Sequence, residues 1–74
     1  MEDKLKNVFE IVLEVNPSSI NEDSSPDNIV TWDSMNHMNL IIAIEEEFNV
    51  KIMDDDAVDL LSYGKILSYL EGKK

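Results

Sequence analysis

Residues 33–48 read DSMNHMNLIIAIEEEF, a sixteen-residue stretch with neither glycine nor proline. Asp33 and Ser34 are both helix-capping types, because a short side-chain oxygen can accept from the unpaired N–H groups of a first turn. The stretch predicts a helix that begins at this dipeptide and runs from Met35 to Phe48. With about 100° between successive residues, its apolar side chains fall on two arcs rather than one. His37, Leu40, Ile41, Ile44 and Phe48 share the arc expected to face the core. Met35, Met38 and Ile42 share a second, bordered by Asn39, Glu45 and Glu46, which the core of a thin bundle cannot also absorb. Periodicity leaves two readings of this second stripe. Either the preceding loop folds over it, or it is a docking strip whose flexible thioethers repack against a partner while the carboxylates steer a basic one.

Upstream, residues 2–15 carry Leu5, Val8, Ile11, Val12 and Val15 at helical spacing, with Glu2 and Asp3 where the helix dipole favours anions. Pro17 excludes Asn16 from the helical region, so this first helix is expected to stop there. Pro17 to Asp33 is a seventeen-residue stretch rich in Ser, Asn, Asp and Pro. Loops of that length inside a compact domain are functional or partly structured, and Ile20, Ile29, Val30 and Trp32 are the expected points of attachment to the core. Downstream, Asn49-Val50-Lys51-Ile52 alternates polar and apolar, as a short extended connector does. Asp54, Asp55 and Asp56 load the first turn of a short third helix ending near Leu61. Ser62 caps a fourth whose Tyr63, Ile66, Leu67 and Leu70 keep helical spacing, closed by Gly72, Lys73 and Lys74. Gly64 within it costs about 1 kcal/mol against alanine. The expected fold is all-α: a small four-helix bundle of three main helices and one short one, with a long loop between the first two. Residues 1–74 form a single domain without internal repeats.

The chain has 74 residues, six basic and sixteen acidic, no cysteine, and a net charge of −10. A chain this short buries only about 60% of the surface its unfolded form exposes, so its core is thin, and self-repulsion weakens it further. Without cysteine there is neither a disulfide framework nor a Cys-based zinc site, which points to a reducing cytosol. The first residues lack the basic-then-apolar order of a signal peptide, and the longest apolar run, Leu40–Ile44, falls far short of the roughly 20 residues of a membrane span. All six basic residues are lysines with no basic patch, which disfavours nucleic acid and anionic membranes as partners and favours something basic. Between residues 22 and 59 there are eleven acids against Lys51 alone, which is the whole net charge; the rest of the chain is neutral. The charge therefore belongs to the middle of the chain and points to one acidic surface.

Ser34 admits three chemical readings. It can be a simple cap; it can carry a modification, since a helix N-terminus tolerates an attached phosphodiester; or it can be a nucleophile. The last needs a base, and the only histidine, His37, is directed at the core with no oxyanion-forming glycine turn nearby.

Asp33-Ser34-Met35 and the helix ending in Glu45-Glu46-Glu47-Phe48 resemble the Asp-Ser-Leu segment and second helix of acyl carrier proteins. The resemblance continues through Val50, Ile52, Asp54-Asp55-Asp56-Ala57 and Tyr69-Leu70, and covers essentially the whole chain. It implies that Ser34 is esterified with 4′-phosphopantetheine, transferred from coenzyme A by a separate phosphopantetheinyl transferase, and that the arm's thiol holds an acyl group as a thioester. The absence of cysteine fits a borrowed sulfur. The protein would then be a cytoplasmic monomeric carrier without catalysis of its own, raising the effective concentration of its cargo at successive enzymes. Asp33, Glu45, Glu46 and Glu47 match the family's acidic partner-recognition positions, and Met35, Met38 and Ile42 its apolar ones, facing acyl-loading and acyl-transfer enzymes with basic docking surfaces. By the same resemblance His37 borders the acyl cavity, with Ile41, Ile44 and Phe48 as further lining candidates.

The chain departs from the fatty-acid type of the family at Asn36 and Asn39, where acids are frequent, at Met35 in place of leucine, and at Trp32 in place of a small residue. These departures favour a specialised pathway with a short or polar acyl group. An aminoacyl or peptidyl carrier, for example a D-alanyl carrier, is the alternative; Thr31-Trp32 stands where such carriers often have Gly-Gly. An acidic interaction module without a prosthetic group is a further one. Asp54-Asp55-Asp56-Ala57 does not meet the pattern of a calcium loop, so no specific metal site is expected, although loose divalent-cation binding at Glu45–Glu47 and Asp54–Asp56 would relieve repulsion.

Overall fold

A computed structural model describes residues 2–72, all of its regular structure helical. The helices are α1 (Glu2–Leu13), α2 (Ser34–Phe48), α3 (Asp54–Ala57) and α4 (Tyr63–Gly72), with a 3-10 turn at Pro17–Ser19. No strand occurs among the described residues. Lys73 and Lys74, expected to close the last helix, lie outside them.

α1 packs against α2. Its buried residues are Leu5, Val8, Phe9 and Leu13, so the core arc is centred on Phe9 and Leu13 instead of running through Ile11, which is exposed. The helix ends before the expected proline. Glu14 adopts φ 55°, in the left-handed region, and the Thr31 hydroxyl donates to the Leu13 carbonyl at 2.6 Å, satisfying one of the groups that a helix end leaves open. Pro17 then starts the 3-10 turn, capped by Asn16 Oδ1, which accepts from Ser18 N at 3.0 Å.

The long loop is held at Ile20 and Trp32, both buried, and more loosely at Ile29. Val30 is not an attachment point: it is 97% exposed. The Trp32 amide donates to the Ile29 carbonyl at 3.0 Å, closing a tight turn with Val30 at its outer corner. The loop also caps α4. Tyr63 N donates to Ser24 O at 2.9 Å and Gly64 N to Glu22 O at 3.3 Å, while Ser62 Oγ accepts from Lys65 N at 3.1 Å as its residue type predicted. A Cβ at position 64 would stand 3.1 Å from the Glu22 carbonyl oxygen, so the glycine that weakens α4 is what lets the loop reach it.

α2 ends at Asn49, in the left-handed region (φ 53°) that asparagine tolerates. The connector buries Ile52 and leaves Lys51 exposed, as its alternation predicts. α3 is shorter than its sequence suggested. It makes one turn to Ala57 and gives way to successive tight turns reaching Leu61, because Ala57 and Leu60 are drawn into the core while Val58 and Asp59 face solvent. α4 contributes Tyr63, Ile66 and Leu70 to the core, with Leu67 half-buried. The rings of Trp32 and Tyr63 both meet Phe9 edge-on, each with centroids 5.3 Å apart.

Candidate functional site

Asp33 and Ser34 divide the work at the start of α2. The Asp33 carboxylate is the cap, accepting from Asn36 N at 2.8 Å, and the Asp33 carbonyl accepts from His37 N at 2.8 Å. The adjacent Ser34 hydroxyl is exposed, and no group among the described residues bonds to it. The simple-cap reading of Ser34 therefore gives way, since its neighbour already fills that role. Asn36 reaches back with Nδ2 to the Thr31 carbonyl at 2.8 Å, which fixes the turn entering the helix.

Beside Ser34 runs an open groove of about 590 Å³, lined by Pro26, Trp32, Asp33, Ser34, His37, Met38, Val58 and Leu61. Its volume lies in the range of about 300–1,000 Å³ usual for ligand sites. One wall is α2; the other is the segment after α3, where Val58 and Leu61 remain solvent-facing. Sequence reasoning missed Val58, Leu61 and Pro26. The signal available was a pair of apolar residues near the end of the third helix with no place in the core periodicity.

His37 is not free to act as a base. The Trp32 indole donates to its Nδ1 at 2.9 Å, and Nε2 lies 2.8 Å from the Ala57 carbonyl. An indole N–H only donates, so the imidazole proton sits on Nε2 and is given to Ala57. The two rings are also stacked, 6.0 Å between centroids. Both nitrogens are thus used in holding α2, the loop and α3 together.

The second stripe of α2 stands clear of the loop: Met35 is 75% exposed, Met38 56% and Ile42 51%. Asp33 and Glu46 are exposed beside it, and Glu47, also exposed, lies on the side of α2 that meets Ile11 and Val12 of α1. Glu45 differs from its neighbours, being half-buried with Oε2 accepting from Ile52 N at 2.8 Å, and so anchors the connector. Of the four cavity candidates, His37 lines the groove. Ile41 and Ile44 are buried in the common core, and Phe48 packs on its edge with the Lys4 ammonium 5.4 Å from its ring. Asp56 is also engaged, accepting from the Tyr69 hydroxyl at 2.8 Å. Neither acidic triplet forms a ligand set: among the described residues no three His, Cys, Asp or Glu side chains converge to hold a metal.

Residues 3–70 match the family described as "Phosphopantetheine attachment site". The chain belongs to that family. It is similar to the acyl carrier protein of Wolinella succinogenes, 33% identical over 72 residues that make up 97% of this chain and 95% of that one. It is likewise similar to the acyl carrier protein of Chlamydia caviae, 32% identical over 74 residues, or 100% of this chain and 96% of that one. Its prosthetic group is 4′-phosphopantetheine, and the chain is a carrier and not a catalyst. The residues present fit such a group. An uncommitted hydroxyl stands at a helix N-terminus whose Ser34 and Met35 amides have no intrahelical acceptor, a setting that suits a phosphodiester. The apolar groove opens directly beside it. No helix among the described residues is long and apolar enough to cross a membrane.

Proposed function

We propose that Ser34 carries the 4′-phosphopantetheine arm and that this chain, as a single domain over residues 1–74, holds an acyl thioester and delivers it to successive enzymes in a specialised cytoplasmic pathway. The observation that carries this reading is the exposed Ser34 hydroxyl, left unbonded because Asp33 takes the cap, at the edge of an apolar groove. The arm supplies the thiol that the cysteine-free chain lacks. Asp33, Met35, Met38, Ile42, Glu46 and Glu47 form the docking face for a phosphopantetheinyl transferase and for acyl-loading and acyl-transfer enzymes with basic surfaces. Glu45 contributes to that face only indirectly, by fixing the connector below it. Asn36 and Asn39 leave the upper part of the face neutral, which favours partners other than those of general fatty-acid synthesis. The relatives named as acyl carriers support acyl over aminoacyl cargo.

Incubation with coenzyme A, magnesium and a promiscuous phosphopantetheinyl transferase is expected to add one arm, read as a single increment in intact mass, and Ser34→Ala is expected to abolish it. An unchanged mass in the wild type would overturn the proposal. The mass of the group carried by protein purified from its own cell would name the cargo.

A further inference from the structure

The groove and the core lie on opposite sides of one small assembly. Trp32 and His37 both line the groove beside Ser34. Behind them Trp32 is buried to 2% exposure and packs edge-on against Phe9, whose side chain is fully buried. His37, on α2, is held by Trp32 on one nitrogen and by the Ala57 carbonyl, at the end of α3, on the other. A chain passing from Ser34 inward between α2 and α3 would have to break the half-buried bond that ties those helices together and leave the Ala57 carbonyl and an imidazole nitrogen without their partners. The groove itself demands no such rupture, and Met38, Val58 and Leu61 already offer apolar surface along it.

We propose that the Trp32–His37 pair, locked to the Ala57 carbonyl, closes the way from Ser34 into the helical core, so that the loaded arm and its cargo lie along the open Met38–Val58–Leu61 groove whatever the acyl length. This rests on the reading of Ser34 as the attachment residue. His37 and Trp32 then act as specificity-determining residues. They withhold from a long acyl chain the burial that would favour it, and leave short or polar cargo at no disadvantage.

The test loads the full chain with acetyl, butyryl and octanoyl arms from the corresponding coenzyme A thioesters, checks each product by intact mass, and measures its melting temperature and amide NMR spectrum. In the wild type the melting temperature is expected to stay level along the series, with shifts at Met38, Val58 and Leu61 and none at Ile41 or Ile44. In His37→Ala the opened path is expected to give a melting temperature that climbs by several degrees from acetyl to octanoyl, with Ile41 and Ile44 now responding. An octanoyl-dependent rise or Ile44 shifts in the wild type overturn the barrier while leaving Ser34 loaded, and so does a level series in folded His37→Ala. A missing mass increment overturns the attachment reading and the barrier with it. Should His37→Ala fail to fold, the wild-type spectra decide alone.

Discussion

Ser34 is available because Asp33 sits next to it: of two adjacent capping residues, one caps and the other is left with an unbonded hydroxyl. The same partition separates the three consecutive glutamates of α2. Glu46 and Glu47 face solvent, whereas Glu45 holds the amide of buried Ile52. Glu45→Ala is expected to cost about 1–3 kcal/mol in urea unfolding, because it leaves that amide without an acceptor. Glu46→Ala is expected to fall within about 0.5 kcal/mol of the wild type. Tyr63 gives a pH-dependent counterpart. Burial first, then the charge of Glu2 and a 3.4 Å hydrogen bond to it, push its phenol from 10.0 up to about 12. The folded state therefore holds this proton more tightly than the unfolded state. The stability that follows is complete below the unfolded value of 10.0 and is lost as pH rises towards about 12. Tyr63→Phe is expected to flatten the alkaline fall of the melting temperature, and an identical fall in both proteins would contradict it.

Among the elements, α4 depends most on a distant segment. Its first amides are satisfied by carbonyls of Glu22 and Ser24, so the long loop acts as a cap some forty residues away in sequence. Gly64 makes that approach feasible. Helix propensity alone would have Gly64→Ala gain about 1 kcal/mol, but the added Cβ would meet the Glu22 oxygen at 3.1 Å, and that oxygen is already held by the helix amide. The substitution is expected to lower stability by about 1 kcal/mol, with faster hydrogen exchange at the Tyr63 and Gly64 amides. A stabilised variant would show that the loop can yield. α2 is the opposite case. Its limits follow from its own residues, Asp33 at one end and Asn49 in the left-handed region at the other.

At the scale of the whole molecule, a net charge of −10 is carried on a body of 27 × 23 × 19 Å. In about 0.01 M salt the screening length, about 30 Å, exceeds the longest dimension and every carboxylate repels every other; at about 0.15 M it is about 8 Å. The melting temperature is expected to rise between those conditions, and magnesium to raise it more than sodium at equal ionic strength. A midpoint independent of salt would mean that repulsion does not limit stability. The acidic side chains are also not interchangeable at this scale. Asp56 and Glu45 are held by Tyr69 and Ile52, Asp33 and Glu46 are exposed beside the methionine stripe, and Glu47 is exposed on the side of α2 that meets α1.

Legible in the residues alone were the all-α class, the start of α2 at the Asp33–Ser34 pair, the division of α2 into a core arc and a second apolar stripe, and the position of the acidic charge. Each of these is a property of neighbouring residues: periodicity, capping type and charge are all defined within one segment. It took the packed chain to show that Asp33 and not Ser34 does the capping, and that Glu45 holds the Ile52 amide. The structure also showed that α1 stops at Leu13 under a bond from Thr31, that Val30 points outward, and that Gly64 makes room for Glu22. His37 marks the boundary most sharply. Its place on the core arc was legible, but its bonds to Trp32 and Ala57 were not, because a hydrogen-bond partner is chosen by which segments the core brings together, and helical periodicity carries no record of that choice.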